Sequence, residues 1–230
     1  MNLSGGVTFY PEVESTQSEA KKSLSGVHWT MNQTSGKGRF DRTWYSEPSS
    51  SLAISIAFPN YRGFAKPYLI GMWICIALAE EFDLRLQWPN DLVLDRKKVC
   101  GVLTEVIDDV PIVGFGINIG PMSFPQDIAY RATSLANEGR EVGSVSDVFD
   151  QIFAMLNRLD EVPPTWREMA EKWRDLDETK GKIFRLQDGR IGIAEGVSDE
   201  AELVWNSDGT FEMITCADAL WGINHAIETS

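Results

Sequence analysis

At 230 residues, 43% of them hydrophobic, the chain can hold one substantial domain plus a small second one and fill a normal core. Its 34 acidic against 21 basic residues leave a formal net charge of -13, which argues against non-specific binding to nucleic acid or to an anionic membrane. Cys75, Cys100 and Cys216 are widely spaced and lack CxxC or Cys/His metal spacing, so reduced thiols without structural zinc are expected, as in the cytoplasm. No basic-then-apolar leader opens the sequence, and no apolar run approaches the roughly 18 residues that span a bilayer.

Val7–Tyr10 reads as a short strand, after which Ser15 or Thr16 can cap a helix running to about Leu24. Residues 26–31 supply a second strand. It ends in a glycine-rich, cationic stretch, 32–44, inside an acidic protein. Gly36 and Gly38 let backbone amides approach an anion, while Lys37, Arg39 and Arg42 supply charge and forked donors. This reads as a phosphate cradle, mobile without its anion, or else as a flexible solvated loop; neither a P-loop nor a dinucleotide fingerprint matches. Trp44-Tyr45 either stacks on a base or closes the core beneath the loop.

Residues 52–58 alternate as a strand, and 65–82 carry a helical apolar stripe through Leu69, Trp73, Ile76 and Ala77. The strand 84–87 is broken by Trp88-Pro89, because proline fixes its own φ, lacks a donor and pushes its predecessor toward extended geometry. Asn90 and Asp91 then sit at a turn, 92–94 forms a short strand, Asp95 to Lys97 a polar tip and 99–106 the returning strand, with Lys98 at the hairpin's root. So dense a group of aromatic, amide, carboxylate and ammonium points to handling of something phosphorylated; a solvated tip is the plainer alternative. In the strand 111–119, Gly114 and Gly116 strip side chains from one face, leaving room for something flat or for another backbone.

A helix over 144–159 turns Val148, Phe149, Ile152, Phe153, Leu156 and Leu159 inward, and after Pro163-Pro164 a helix over 165–176 groups Trp166, Met169 and Trp173. From Lys180 the texture changes to short alternating runs punctuated by Asp188-Gly189 and Asp208-Gly209. These predict a small β-barrel of about fifty residues.

Five pieces in this order, Ser15-Thr16, Gln33 through Arg39 with Trp44, Trp88-Pro89-Asn90-Asp91, Lys98 through Gly101, and Gly114 through Asn118, resemble the biotin protein ligases of the biotin/lipoate ligase superfamily. The resemblance covers most of residues 7–135 and, more loosely, the C-terminal β part. It implies an α+β fold, a central mixed sheet flanked by helices over residues 1–178, followed by a small SH3-like β-barrel over 179–230, without an N-terminal DNA-binding domain. It further implies activation of biotin by ATP, with Mg2+ brought by the ATP, to biotinyl-5'-AMP, and transfer to a lysine of a biotin carboxyl carrier protein domain. Neither nucleic acid nor membrane is a partner in that reading; a homodimer is left open.

Attack of a carboxylate on an α-phosphate brings two anions together, so cations must surround the meeting point. By matching positions, Lys98 would span the carboxylate and α-phosphate, and Lys37 and Arg39 would hold phosphates or order their loop. Ser15, Thr16 and Gln33 would bind the biotin head beside Gly36 and Gly38, with Gly101, Gly114 and Gly116 making room. Trp44, Asn90, Asp91 and Asn118 would hold the nucleotide, and no metal would be held by the protein alone. The chain departs from the pattern at Gln87, where a lysine is usual, at Lys37, where an arginine is usual, and at Phe40-Asp41, which puts a carboxylate among the cations. A ligase for lipoate or octanoate, or a biotin- or nucleotide-binding protein that has lost turnover, therefore stays open. If Gln87 marks a weakened ligase, Gln87→Lys is expected to raise the rate.

Overall fold

The structure, a computed structural model, describes residues 5–159, 165–186, 188–215 and 219–223, the last five by backbone alone. Pro163-Pro164, Cys216 and the Asp41 side chain lie outside what it describes. Val7–Tyr10 (β1) leads into Thr16–Ser23 (α1), which closes at Leu24 in the left-handed region, and Val27–Thr30 (β2) then pairs in parallel with β1. Ser15 holds the N-cap position, but its hydroxyl makes no capping bond. Gly36–Lys37 (β3) and Thr43–Trp44 (β4) form a separate two-stranded hairpin around the short 3-10 turn Arg39–Asp41. Gly36 is required there, since a Cβ would fall 2.6 Å from Gln33 Nε2 and 2.7 Å from the Trp44 carbonyl.

Ser51–Ala57 (β5) is buried along its whole length. Tyr68–Phe82 (α2) starts later than the apolar pattern suggests, because Pro67 occupies its N-cap. It is not amphipathic: every residue from Leu69 through Ala79 is buried, and a helix apolar on all sides belongs at the centre of a core. Arg85–Gln87 (β6), Asp91–Leu94 (β7), Lys97–Ile107 (β8) and Val110–Asn118 (β9) complete a seven-stranded sheet of order β1-β2-β5-β9-β8-β7-β6, antiparallel except for its first pair. Asp95 and Arg96, both at positive φ, make the two-residue turn between β7 and β8. The Trp88-Pro89 bond is cis.

Val145–Arg158 (α3) and Trp166–Leu176 (α4) each begin with a capping box, Ser144 with Asp147 and Thr165 with Glu168. Because strand side chains alternate between faces, the two sides of the sheet part cleanly. Leu52, Ile54, Ile56, Val113 and Ile117 join the core built on α2, α3 and α4, while Ala57 and Ile112 pack against Ala20 of α1. The side that carries α1 also carries the cavity described below.

Ile183–Leu186 (β10), Ile191–Val197 (β11), Leu203–Ser207 (β12), Thr210–Ile214 (β13) and Ala219–Ile223 (β14) form a second, wholly antiparallel sheet of order β13-β12-β11-β10-β14. The architecture is thus α+β, a mixed central sheet flanked by helices with a small SH3-like module after it. Among the described residues no helix is long and apolar enough to cross a membrane.

Candidate active site

Cross-strand register lines up one row across the whole main sheet: Tyr10, Thr30, Ala53, Gly116, Gly101, Asp91 and Gln87. Residues of one row face the same side, so Ala53, Gly116 and Gly101 make a floor of small residues that Asp91 and Gln87 close at one end. A cavity of about 200 Å³ lies over it. The flat object that the alternating glycines anticipate is in part the chain's own Trp44. A Cβ on Gly116 would stand 2.4 Å from the indole nitrogen, and one on Gly101 would meet Trp44 at 3.1 Å and Lys98 Cε at 2.7 Å. Gly114 makes room for Gln17, whose Oε1 would lie 2.2 Å from a Cβ there.

Lys98 enters the cavity through an irregularity. Leu92 faces Cys100 but the next residue, Val93, faces Lys98, so Val99 is an extra residue, a β-bulge in β8. In an unbroken strand Lys98 and Gly101 would point to opposite faces; the bulge brings them to the same one. Lys98 Nζ lies 2.6 Å from Asp91 Oδ1 and 5.4 Å from the centre of the Trp44 ring. Its backbone is fixed on both sides, the amide donating to the Arg131 carbonyl at 2.8 Å and the carbonyl accepting from Thr133 N–H at 2.9 Å. That attachment carries Arg131 to the cavity wall.

Among the described residues five cations, Lys37, Arg39, Arg42, Lys98 and Arg131, line the cavity against a single carboxylate, Asp91, in a chain of net charge -13. Burial and the neighbouring Arg131 draw the Arg42 pKa down, with Asp91 opposing them. Crowding cations into half-buried space is unfavourable unless an anion joins them. Asn90 gives its amide N–H to the Val102 carbonyl at 2.6 Å, which turns its oxygen toward Arg39 Nη1 at 3.5 Å.

The other end of the cavity is polar but uncharged. Thr16 donates to Gln33 Oε1 through its backbone N–H at 2.9 Å and its hydroxyl at 3.2 Å, and its Oγ1 lies 2.9 Å from Ser55 Oγ. With its oxygen so engaged, Gln33 keeps its NH2 for the cavity. Ser15 Oγ, Gln17 Oε1, Trp44 Nε1 and Asn118 Oδ1 are buried without a protein hydrogen-bond partner among the described residues. Each such atom costs roughly 1–3 kcal/mol if it stays unpaired, and their gathering around one cavity marks walls shaped for a polar guest.

A third contribution comes from the small sheet. Trp88 N–H donates to Thr179 Oγ1 at 2.8 Å, its indole N–H donates to the Ala201 carbonyl at 2.9 Å, and the Phe184 ring meets it edge-on at 6.2 Å. Phe184 itself lines the cavity, and the Lys182 ammonium donates to Gln87 Oε1.

Ser15, Thr16, Gln33, Lys37, Gly38, Arg39, Trp44, Asn90, Asp91, Lys98, Gly101, Gly114, Gly116 and Asn118 all line the cavity. Gly36 does not; it sits behind Gln33 and Trp44 as a hairpin residue. Sequence reasoning missed Gln17, Ser55, Arg131 and Phe184 as wall residues. Gln17 adjoins the Ser15-Thr16 pair and Ser55 is a polar residue in an apolar strand, both readable hints, whereas nothing local distinguishes Arg131 or Phe184.

Residues 12–121 match the biotin/lipoate A/B protein ligase family. The chain is 24% identical to the bifunctional ligase/repressor BirA of Bacillus subtilis over 204 residues, covering 81% of this chain and 63% of that protein, so it spans less than two thirds of that relative. It is also 24% identical to the biotin--[acetyl-CoA-carboxylase] ligase of Paracoccus denitrificans, over 91% of this chain and 98% of that one. The Aquifex aeolicus biotin protein ligase, solved in complex with biotin and ATP, superposes with a TM-score of 0.76 at 26% identity, covering 94% and 97% of the two chains.

Proposed function

We propose that the chain is a member of the biotin/lipoate A/B protein ligase family, whose model matches residues 12–121, and that it activates biotin with ATP to biotinyl-5'-AMP and passes the biotinyl group to a lysine of a carrier-protein domain. One observation carries the reading: a single cavity joins a cluster of five cations to a polar, uncharged slot floored by glycines. In the first step a biotin carboxylate oxygen bonds the α-phosphorus while the bond to pyrophosphate breaks. Both reactants are anionic, so the barrier falls where fixed cations meet the developing charge. Lys98, held by Asp91 over the glycine floor, would stand between carboxylate and α-phosphate; Arg39, Arg42, Arg131 and Lys37 would hold the departing phosphates. In the second step the carrier amine bonds the acyl carbon and AMP leaves.

Among the described residues no three His, Cys, Asp or Glu side chains gather to bind a metal. Mg2+ arriving on the triphosphate would find Asn90 and Asp91 as the nearby oxygen donors, and it would supply charge neutralisation of the phosphates. The choice of acid rests on the slot. Ser15, Gln17 and Gln33 offer hydrogen bonds that a ureido ring can complete and that a dithiolane or an alkyl tail would leave unpaired, a strong basis for rejection. The carrier is proposed by likeness to the Paracoccus denitrificans protein, whose name specifies acetyl-CoA carboxylase.

The test incubates the protein with biotin, lipoate or octanoate and MgATP, reads acyl-adenylate by mass spectrometry, then adds a carrier domain. Biotinyl-adenylate followed by carrier biotinylation is expected. An adenylate formed from lipoate or octanoate but not biotin would refute the choice of acid, and none at all would refute activation.

A further inference from the structure

Gln87 ends the row of residues that floors the cavity, next to Asp91, and its side chain is buried, 7% exposed. A glutamine amide has an acceptor end and a donor end, and which one faces the cavity decides what the wall can hold. Here the chemistry of the neighbour settles it. An ammonium has three donors and no acceptor, so the Lys182 head group in hydrogen-bond contact with Gln87 must take the amide oxygen. The NH2 is then what Gln87 has left to give, and among the described residues it has no partner.

We propose that Lys182, the residue just before the small sheet's first strand, is a positioning residue of the active site: it fixes and polarises Gln87 so that the amide presents N–H donors, carrying positive potential, to the phosphate chain of the bound nucleotide. The inference rests on the reading of the cavity as an ATP site. Three further observations support it. Lys182 is held rigidly from behind, its backbone N–H donating to the Thr179 carbonyl at 3.1 Å and its carbonyl accepting from Ala194 N–H at 2.8 Å. Thr179 in turn holds the Trp88 N–H, one residue from Gln87. Burial lowers the Lys182 pKa, with Arg96 acting in the same sense and Glu178, Asp91 and Asp177 opposing it. A bond between an ammonium and an amide strengthens what the amide donates at its far end.

The experiment compares wild type, Lys182→Gln, Gln87→Lys and the exchanged pair Gln87→Lys with Lys182→Gln, by single-turnover adenylation with biotin across ATP concentrations and by thermal melting. Lys182→Gln should raise the KM for ATP by about tenfold, the scale of one charge-assisted hydrogen bond, with the KM for biotin within about twofold. Gln87→Lys alone should also be impaired, since it sets two ammonium groups against each other, and the exchanged pair should recover most of the ATP affinity. A purely structural Lys182 would lower the melting temperature and would not be repaired by a lysine at 87. Wild-type adenylation with Lys182→Gln unchanged in ATP dependence, or with no recovery in the exchanged pair, would overturn the inference alone. No adenylate from wild type would overturn the ATP reading and the inference with it.

Discussion

Lys98 pairs with Asp91 at 2.6 Å because Val99 is inserted between Lys98 and Cys100 as an unmatched residue of β8. The bulge turns an ammonium that strand alternation would have aimed at the opposite face into the cation nearest the glycine floor. Asp91 both neutralises it at rest and holds it in one place, so little reorganisation is needed when reactant anions arrive.

Replacing that cation should therefore be costly for chemistry and mild for folding, since Lys98 is a partly exposed side chain. Lys98→Ala is expected to slow biotinyl-adenylate formation by roughly 100-fold or more, with a nearly unchanged melting temperature. Pyrophosphate release is the measurement; turnover close to wild type would remove Lys98 from the mechanism.

Gly116→Ala tests the contact between floor and indole. The added methyl would start 2.4 Å from Trp44, so the indole must leave its place and the slot must change shape. Biotin affinity by calorimetry should drop by about tenfold or more, within the range that misfit in a close-packed site produces. Adding Trp44→Ala should recover thermal stability without recovering affinity. Full biotin affinity in Gly116→Ala would mean that Trp44 is not part of the binding wall.

Thr179 is completely buried and accepts the Trp88 N–H. Thr179→Val keeps the shape, strands that donor and removes the hydroxyl's own bond to Asp177, so urea unfolding should reveal a loss of at least roughly 1–3 kcal/mol, whereas Thr179→Ser should lose much less. Equal effects from both substitutions would show that packing of the methyl, not the hydrogen bond, holds the turn.

Asp177 gives a pH signature. Burial raises its carboxyl pKa, more than the bonds from Thr179 lower it. The folded chain thus holds this proton more tightly than the unfolded one, so the ionised carboxylate costs stability at neutral pH. That cost disappears as the pH falls from the raised value to the unfolded one, near about 4. Asp177→Asn should accordingly be more stable than wild type at pH 7.5, the advantage shrinking on acidification. Melting curves across that window decide; an advantage that grows toward low pH would contradict the assignment.

Much of this architecture was readable from patterning. The strand at 110–118, the glycine pair within it, the hairpin after Trp88-Pro89 and the change of texture near Lys180 all follow from alternation and turn chemistry, which are local. The bulge at Val99 was not readable, because Lys98-Val99-Cys100-Gly101 carries no glycine or proline at the inserted position. The burial of α2 was readable in part: Met72, Trp73 and Cys75 read as core beside the stripe at Leu69, Trp73 and Ile76, but nothing in that stripe marks the whole run from Leu69 through Ala79 as buried. Gln87 is the instructive case. As a residue alone it looks like a missing charge and invites Gln87→Lys as a repair. The structure brings Lys182 to it across 95 positions of sequence, a pairing that no local signal encodes, and on the proposal above Gln87→Lys would set two ammonium groups against each other.

The grip on Trp88 has a consequence for heredity. Its two N–H groups are held by Thr179 and Ala201, and Phe184 forms part of the cavity wall. Residues near the C-terminal end of the chain therefore complete a turn that lies in its first half. A recombination event joining the first 178 residues to another protein's tail would inherit the cations Lys37, Arg39, Arg42, Lys98 and Arg131 that line the cavity but leave the tryptophan's donors to whatever that tail supplied. Exchange of modules between relatives should succeed only where the incoming tail offers an acceptor for each of those N–H groups, so the two parts are expected to pass between lineages as one unit.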